Sequence, residues 1–187
     1  AHYVLMYPFE KGILDTWKPS RTPGWRPGIS FSGGVDSTAC LELMPKKTIA
    51  LYHERHGFPS LLDHSNAYLI LDELQKRGTT VLNIQSNHEL LRTDYGKSTG
   101  FSSDFAAGVH VILLADFLGL DSVAYGLPLE NSYLFHGHSG RDFLASKYWV
   151  QNSDLFASCG LELFFPSAGL SEFINLKIVN SLPHGSL

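Results

Sequence analysis

Gly28-Ile29-Ser30-Phe31-Ser32-Gly33-Gly34-Val35-Asp36-Ser37-Thr38 runs from a short β-like approach into a glycine pair and then into a helix start. Gly33 and Gly34 have no Cβ, so the chain can turn tightly there and present several backbone N–H groups to one anion. The helix that follows adds its positive end. Ser32, Ser37 and Thr38 carry hydroxyls suited to phosphate oxygens, and Asp36 is the residue type that holds a magnesium ion carried by them. Two other phosphate loops are excluded. The chain has no G-x-x-x-x-G-K-[ST], and the glycine spacing is not G-x-G-x-x-G.

Outward from this loop the sequence alternates strand-like and helix-like segments. Before it, residues 3–7 have strand character, and 8–28 are broken by Pro8, Pro19, Pro23, Gly24, Pro27 and Gly28. This divides the chain into an N-terminal strand and irregular arm over 1–27 and a phosphate-loop domain over 28–187. Trp17, Arg21, Trp25 and Arg26 in the arm read as a cover for the sheet edge, with a lid or homodimer contact as the alternative. After the loop, a helix of two turns ends before Pro45, strand two covers 48–52 and stops at His53, and a crossover helix spans 65–77 with Gly78 as its stop. Strand three is expected over 79–84 and a short helix near 88–92. The apolar run 104–118 reads as one long helix, the most buried of the molecule. Strand four (122–125), strand five (161–165) and a last helix from Ser171 to Val179 complete the series. Apolar strands alternating with helices imply an α/β single domain: a doubly wound parallel five-stranded sheet with helices on both faces.

The 187 residues, 44% of them hydrophobic, suffice for one sizeable core. With 14 Lys plus Arg against 18 Asp plus Glu, the balance lacks the basic excess of a protein that grips a nucleic-acid backbone. A small-molecule substrate is expected, and no nucleic acid. Cys40 and Cys159 stand far apart without a C-x-x-C, which argues against a disulfide framework or a zinc site and for a reducing cytoplasm. No apolar run reaches the length of a membrane span.

Ser32-Gly33-Gly34-Val35-Asp36-Ser37 matches without exception the S-G-G-x-D-S signature of the PP-loop ATP pyrophosphatases, and the chain resembles that family. The resemblance implies strand order 3-2-1-4-5, with the ligand at the switch between strands one and four. It implies ATP and Mg2+ as cofactors, held by Ser30, Phe31, Ser32, Gly33, Gly34, Val35, Asp36, Ser37 and Thr38. Tyr52 and His53 would wall the adenosine, and Gly126 would close the far side. Glu130, four positions after Gly126, is the second metal candidate beside Asp36, or the group that orients the nucleophile, against the plainer reading of a loop carboxylate capping a nearby backbone.

Arg141, Lys147 and Lys177 are the candidate cations for the α-phosphate. His53 and His56 taken alone read as solvated loop histidines, and His136-x-His138 lacks a nearby third metal ligand. The stretch 132–160 is expected to be partly helical and partly to close over substrate with its aromatics. The implied activity is that of an ATP-dependent ligase: it adenylates a carbonyl or carboxylate oxygen, releases pyrophosphate, and passes the product to ammonia or an amine. The layout is most similar to the cyano-deazaguanine synthases, but their C-terminal zinc-binding cysteines have no counterpart after Cys159. A PP-loop sulfurtransferase and a nucleotide-binding module without catalysis are the alternatives.

Overall fold

Apolar strands without polar alternation are satisfied only by burial on both faces, and the central sheet provides that. The computed structural model describes residues 21–55, 64–98, 100–101, 104–135 and 139–182. Strands β1 (Arg26–Phe31), β2 (Ile49–Arg55), β3 (Thr80–Ser86), β4 (Leu120–Tyr125) and β5 (Glu162–Phe164) form one parallel sheet in the order β3-β2-β1-β4-β5. Ile29 lies beside Ala50 on one side and Ala124 on the other, so β1 sits at the centre.

Adjacent residues of a strand point to opposite faces, and two separate cores follow. On one face Ile29, Phe31, Ala50, Tyr52 and Ala124 pack with Cys40 and Leu41 of helix α1 (Val35–Glu42) and with Leu71 and Leu74 of α2 (Ser65–Lys76). On the other face Ile49, Leu51, Val123 and Tyr125 pack with Phe105 of α3 (Asp104–Ala107), Val111 of α4 (Val109–Leu113) and Phe156 of α6 (Lys147–Ser158). Ile29, Ile49, Leu51 and Val123 are fully enclosed. Burial of each such side chain is worth about 1.5–3 kcal/mol.

Helix α7 (Glu172–Asn180) packs against α1. Its N-cap is Ser171, as expected, whose hydroxyl accepts from the amide of Ile174. A four-residue helix α5 (Leu129–Ser132) and a two-stranded antiparallel ribbon, Leu134–Phe135 with Ser139–Gly140, lie between β4 and α6. Among the described residues no helix is long and apolar enough to cross a membrane.

Three expectations are corrected. The long helix over 104–118 is broken at Gly108, and Leu113 and Phe117 are 77% and 86% exposed, so this is not the most buried helix. Gly108 packs on the Tyr125 ring, which a Cβ there would approach to 2.5 Å, so the break falls where only glycine fits. Strand two runs two residues beyond His53, because Glu54 and Arg55 keep pairing with Gln85 and Ser86. His53 is therefore a buried strand residue and not a solvated loop histidine.

In the arm, Arg21 ties the sheet edge together through the carbonyls of Ala115, Leu120 and Gly160 and an ion pair with Asp116. Trp25 stays 61% exposed between Arg26 and Lys47, so it covers no edge. Trp17 lies outside the described residues.

Candidate nucleotide site

The carboxyl ends of β1 and β4 diverge at the point where strand order reverses, and the S-G-G-x-D-S loop leaves β1 there. Gly33 adopts φ +77°, and an added Cβ would come within 2.9 Å of the Ala67 Cβ, so both the turn and its packing need glycine. Gly34 is the N-cap of α1, and the first helical bond runs from the Thr38 amide to the Gly34 carbonyl at 3.0 Å. The amides of Val35, Asp36 and Ser37 precede that bond and form the anion-attracting end of the helix.

Ser32 Oγ lies 3.0 Å from Ser37 Oγ and accepts from the Gly34 amide. The hydroxyls of Ser37 and Thr38 both donate to the Gly34 carbonyl, at 3.0 and 2.9 Å, and both residues are buried. Ser32 is the exposed hydroxyl of the loop. Gly126 closes the opposite side: a Cβ there would lie 2.7 Å from the Ser37 nitrogen, so only glycine lets the β4 end approach the loop.

Asp36 and Glu130 are both held by α7. Asn175 Nδ2 donates to Asp36 Oδ1 at 2.8 Å, and Glu130 Oε2 accepts from the Glu172 amide at 3.1 Å, capping that helix. The capping alternative for Glu130 is thus the one its contacts display. Magnesium bound with nucleotide phosphates needs only one or two protein carboxylates, and the partly buried Asp36 beside the loop fits that demand, with the unpartnered buried Oδ1 of Asn175 next to it.

Two of the three cations expected to meet the α-phosphate, Arg141 and Lys177, have contacts of their own elsewhere. Arg141 donates to the carbonyls of Ser132 (2.9 Å) and Asn131 and leans on Phe143. Lys177 sits 4.6 Å over the Phe173 ring. Lys147 opens α6; its side chain, like His56, His136 and His138, lies outside the described residues. Of the aromatics of 132–160, Phe143 and Phe156 belong to the core, Phe143 buried against Trp149 and Phe165.

Beside the loop a cavity of about 120 Å³ opens along the ends of β1 and β2. Ser30, Phe31 and Ser32 form one wall and Tyr52, His53 and Arg55 the next. His64, Ala67, Phe101 and Ala107, none of them a candidate site residue from sequence, complete it. Tyr52 Oη bonds His64 Nδ1 across this wall.

Behind the cavity His53 stacks between His88 and His110, with ring centroids 4.5 and 5.2 Å away. Burial, then the neighbouring His88 and His110, push the His53 pKa down to about 4. Burial likewise lowers His110 to about 4 and lowers His88. Neutral rings can stack; three imidazolium ions could not. His88 Nε2 donates to the Ala106 carbonyl and Nδ1 meets Ser86 Oγ, which fixes its tautomer. Arg55 pairs with the buried Glu89 at 3.2 Å and rests on Phe101, so it is a strut of this wall.

No protein-family model matches the sequence, and comparison with the curated proteins finds no match. The solved structure of a U34-tRNA thiolase from Methanococcus maripaludis, determined with its [4Fe-4S] cluster, is similar to this chain with a TM-score of 0.51 at 11% identity. The match covers 91% of this chain and 60% of that one, so this chain accounts for about three-fifths of the thiolase's length. With the strand order, the loop at the switch point and this likeness together, the chain has the fold of the PP-loop ATP pyrophosphatases.

Proposed function

We propose that the chain is an ATP-dependent enzyme that cleaves between the α and β phosphates and adenylates an oxygen of a small molecule. The observation that carries this reading is the loop itself, pinned between Gly126 and Ala67 so that Ser32 and the α1 amides face one anion site beside the cavity. In that site the loop and helix end hold the β and γ phosphates as a leaving group. A carbonyl or carboxylate oxygen of the acceptor attacks the α-phosphorus, and the bond to the bridging oxygen breaks, so pyrophosphate departs with the electron pair. Ammonia or an amine then attacks the activated carbon, and AMP leaves with the acceptor's oxygen. Magnesium, held by Asp36 and reached by Glu130, would neutralise charge on the phosphate oxygens. The open cavity along β2, with Tyr52 and His53 in its wall, would take the adenine end of the nucleotide and leave the rest outside it.

The acceptor is a small molecule rather than RNA. The 14 Lys plus Arg are outnumbered by 18 Asp plus Glu, and among the described cations Arg21, Arg55, Lys76 and Arg77 are paired with acidic side chains, which supports this choice. The likeness to a thiolase supports a second reading in which the nucleophile is sulfur. Cys159, half-buried at the end of α6, would be its candidate. Cys40 would not, because burial pushes its thiol up to about 12.

The test is pyrophosphate release from ATP, screened with small carboxylic acids and amides in the presence of ammonia. Ser32→Ala is expected to keep the wild-type melting temperature and lose the release. Asp36→Ala, which leaves the buried Asn175 Nδ2 without its acceptor, is expected to stay folded at a lower melting temperature and lose the release. Near-normal release in either folded variant removes the loop from the mechanism.

A further inference from the structure

Asn175 is fully buried in α7, yet only half of its amide is satisfied. Nδ2 donates to Asp36 Oδ1 at 2.8 Å across 139 residues of chain, while Oδ1 has no partner. A buried acceptor without a donor is costly, and an apolar side chain of the same size would avoid that cost. Packing alone therefore does not account for an asparagine here. At the start of the same helix the Glu172 amide donates to Glu130. Helix α7 thus holds both Asp36 from α1 and Glu130 from α5.

We propose that Asn175 is a positioning residue for the metal end of the nucleotide site: it ties down one oxygen of Asp36 so that the other is presented to a divalent cation at the loop. This rests on the reading of Asp36 as the metal-holding residue. The fold accepts the unpartnered Oδ1 because Asp36 needs a donor that neither α1 nor the loop offers it.

Three quantities separate this role from a structural one: Mn2+ affinity by electron paramagnetic resonance in the presence of a non-hydrolysable ATP analogue, affinity for the analogue without metal, and melting temperature. Asn175→Leu is expected to weaken Mn2+ about tenfold or more, to leave metal-free nucleotide affinity within about twofold, and to melt at most a few degrees below wild type, since relief of the unpartnered Oδ1 offsets part of the bond lost by Asp36. Unchanged Mn2+ affinity, or a parallel loss of melting temperature and of both affinities, overturns the proposal. If Asn175→Leu does not fold, the wild-type protein decides: the side-chain amide resonances of Asn175 should move when Mg2+ is added to the analogue complex, and immobile resonances contradict the role. A wild-type protein that binds neither analogue nor Mn2+ overturns the nucleotide reading as well. One that binds both while Asn175→Leu behaves as wild type overturns only the inference about Asn175.

Discussion

Gly126 backs onto the amide of Ser37 so closely that a Cβ would stand 2.7 Å from that nitrogen and 2.8 Å from the Asp36 carbonyl carbon. The end of β4 and the first turn of α1 are therefore in backbone contact, and the loop's position is set by a residue about 90 positions away. Gly126→Ala must push α1 outward, since the atoms it meets are backbone rather than flexible side chain. The variant is expected to lose about 1–3 kcal/mol of stability and at least about tenfold in ATP affinity by calorimetry. ATP affinity equal to wild type would show that the contact does not position the loop.

Glu130 has a structural task as well as a proposed chemical one, and two substitutions separate them. Gln retains an acceptor for the Glu172 amide, so Glu130→Gln should hold the wild-type stability within about 1 kcal/mol while turnover falls far more than ATP affinity. Ala removes the cap, and Glu130→Ala should lose about 1 kcal/mol of stability in addition. Full turnover in Glu130→Gln, read by pyrophosphate release, would leave Glu130 as a helix cap alone.

The histidine stack gives stability a pH dependence whose sign is fixed. His53 and His110 titrate near 4 when folded, against an ordinary 6.5, so between those values the unfolded chain binds more protons than the folded one. Their contribution is complete above about pH 6.5 and is lost as pH falls towards 4, with Arg55 adding to the cost of charging His53. Melting temperature should drop through that window, and more shallowly in His53→Phe, which keeps a stacking ring but cannot charge. An identical slope in the variant would remove the stack as the source.

Local signals made the framework legible. The glycine pair, the helix stops before Pro45 and at Gly78 and the Ser171 cap act over a few residues and lie where the sequence puts them, and the five strands occur in the expected order with ends shifted by at most three residues. What escaped were the contacts between distant segments. Nothing near Asn175 signals Asp36, and the stack gathers His53 from β2, His88 from the 3-10 helix His88–Tyr95 and His110 from α4. The run 104–118 misled because apolar content suggests one buried helix, whereas the chain breaks at Gly108 and turns Leu113 and Phe117 to solvent while Ala115 and Leu118 stay in the core. Arg141 read as a phosphate partner for want of any hint that the carbonyls of Asn131 and Ser132 would claim it.

The most direct test asks which bond of ATP breaks. ATP labelled at the α-phosphate, incubated with the purified protein, Mg2+, ammonia and an acceptor that stimulates turnover, should yield labelled AMP together with one pyrophosphate per turnover, because the loop from Ser32 to Ser37 holds the terminal pair as the leaving group. Labelled ADP with orthophosphate would contradict the account.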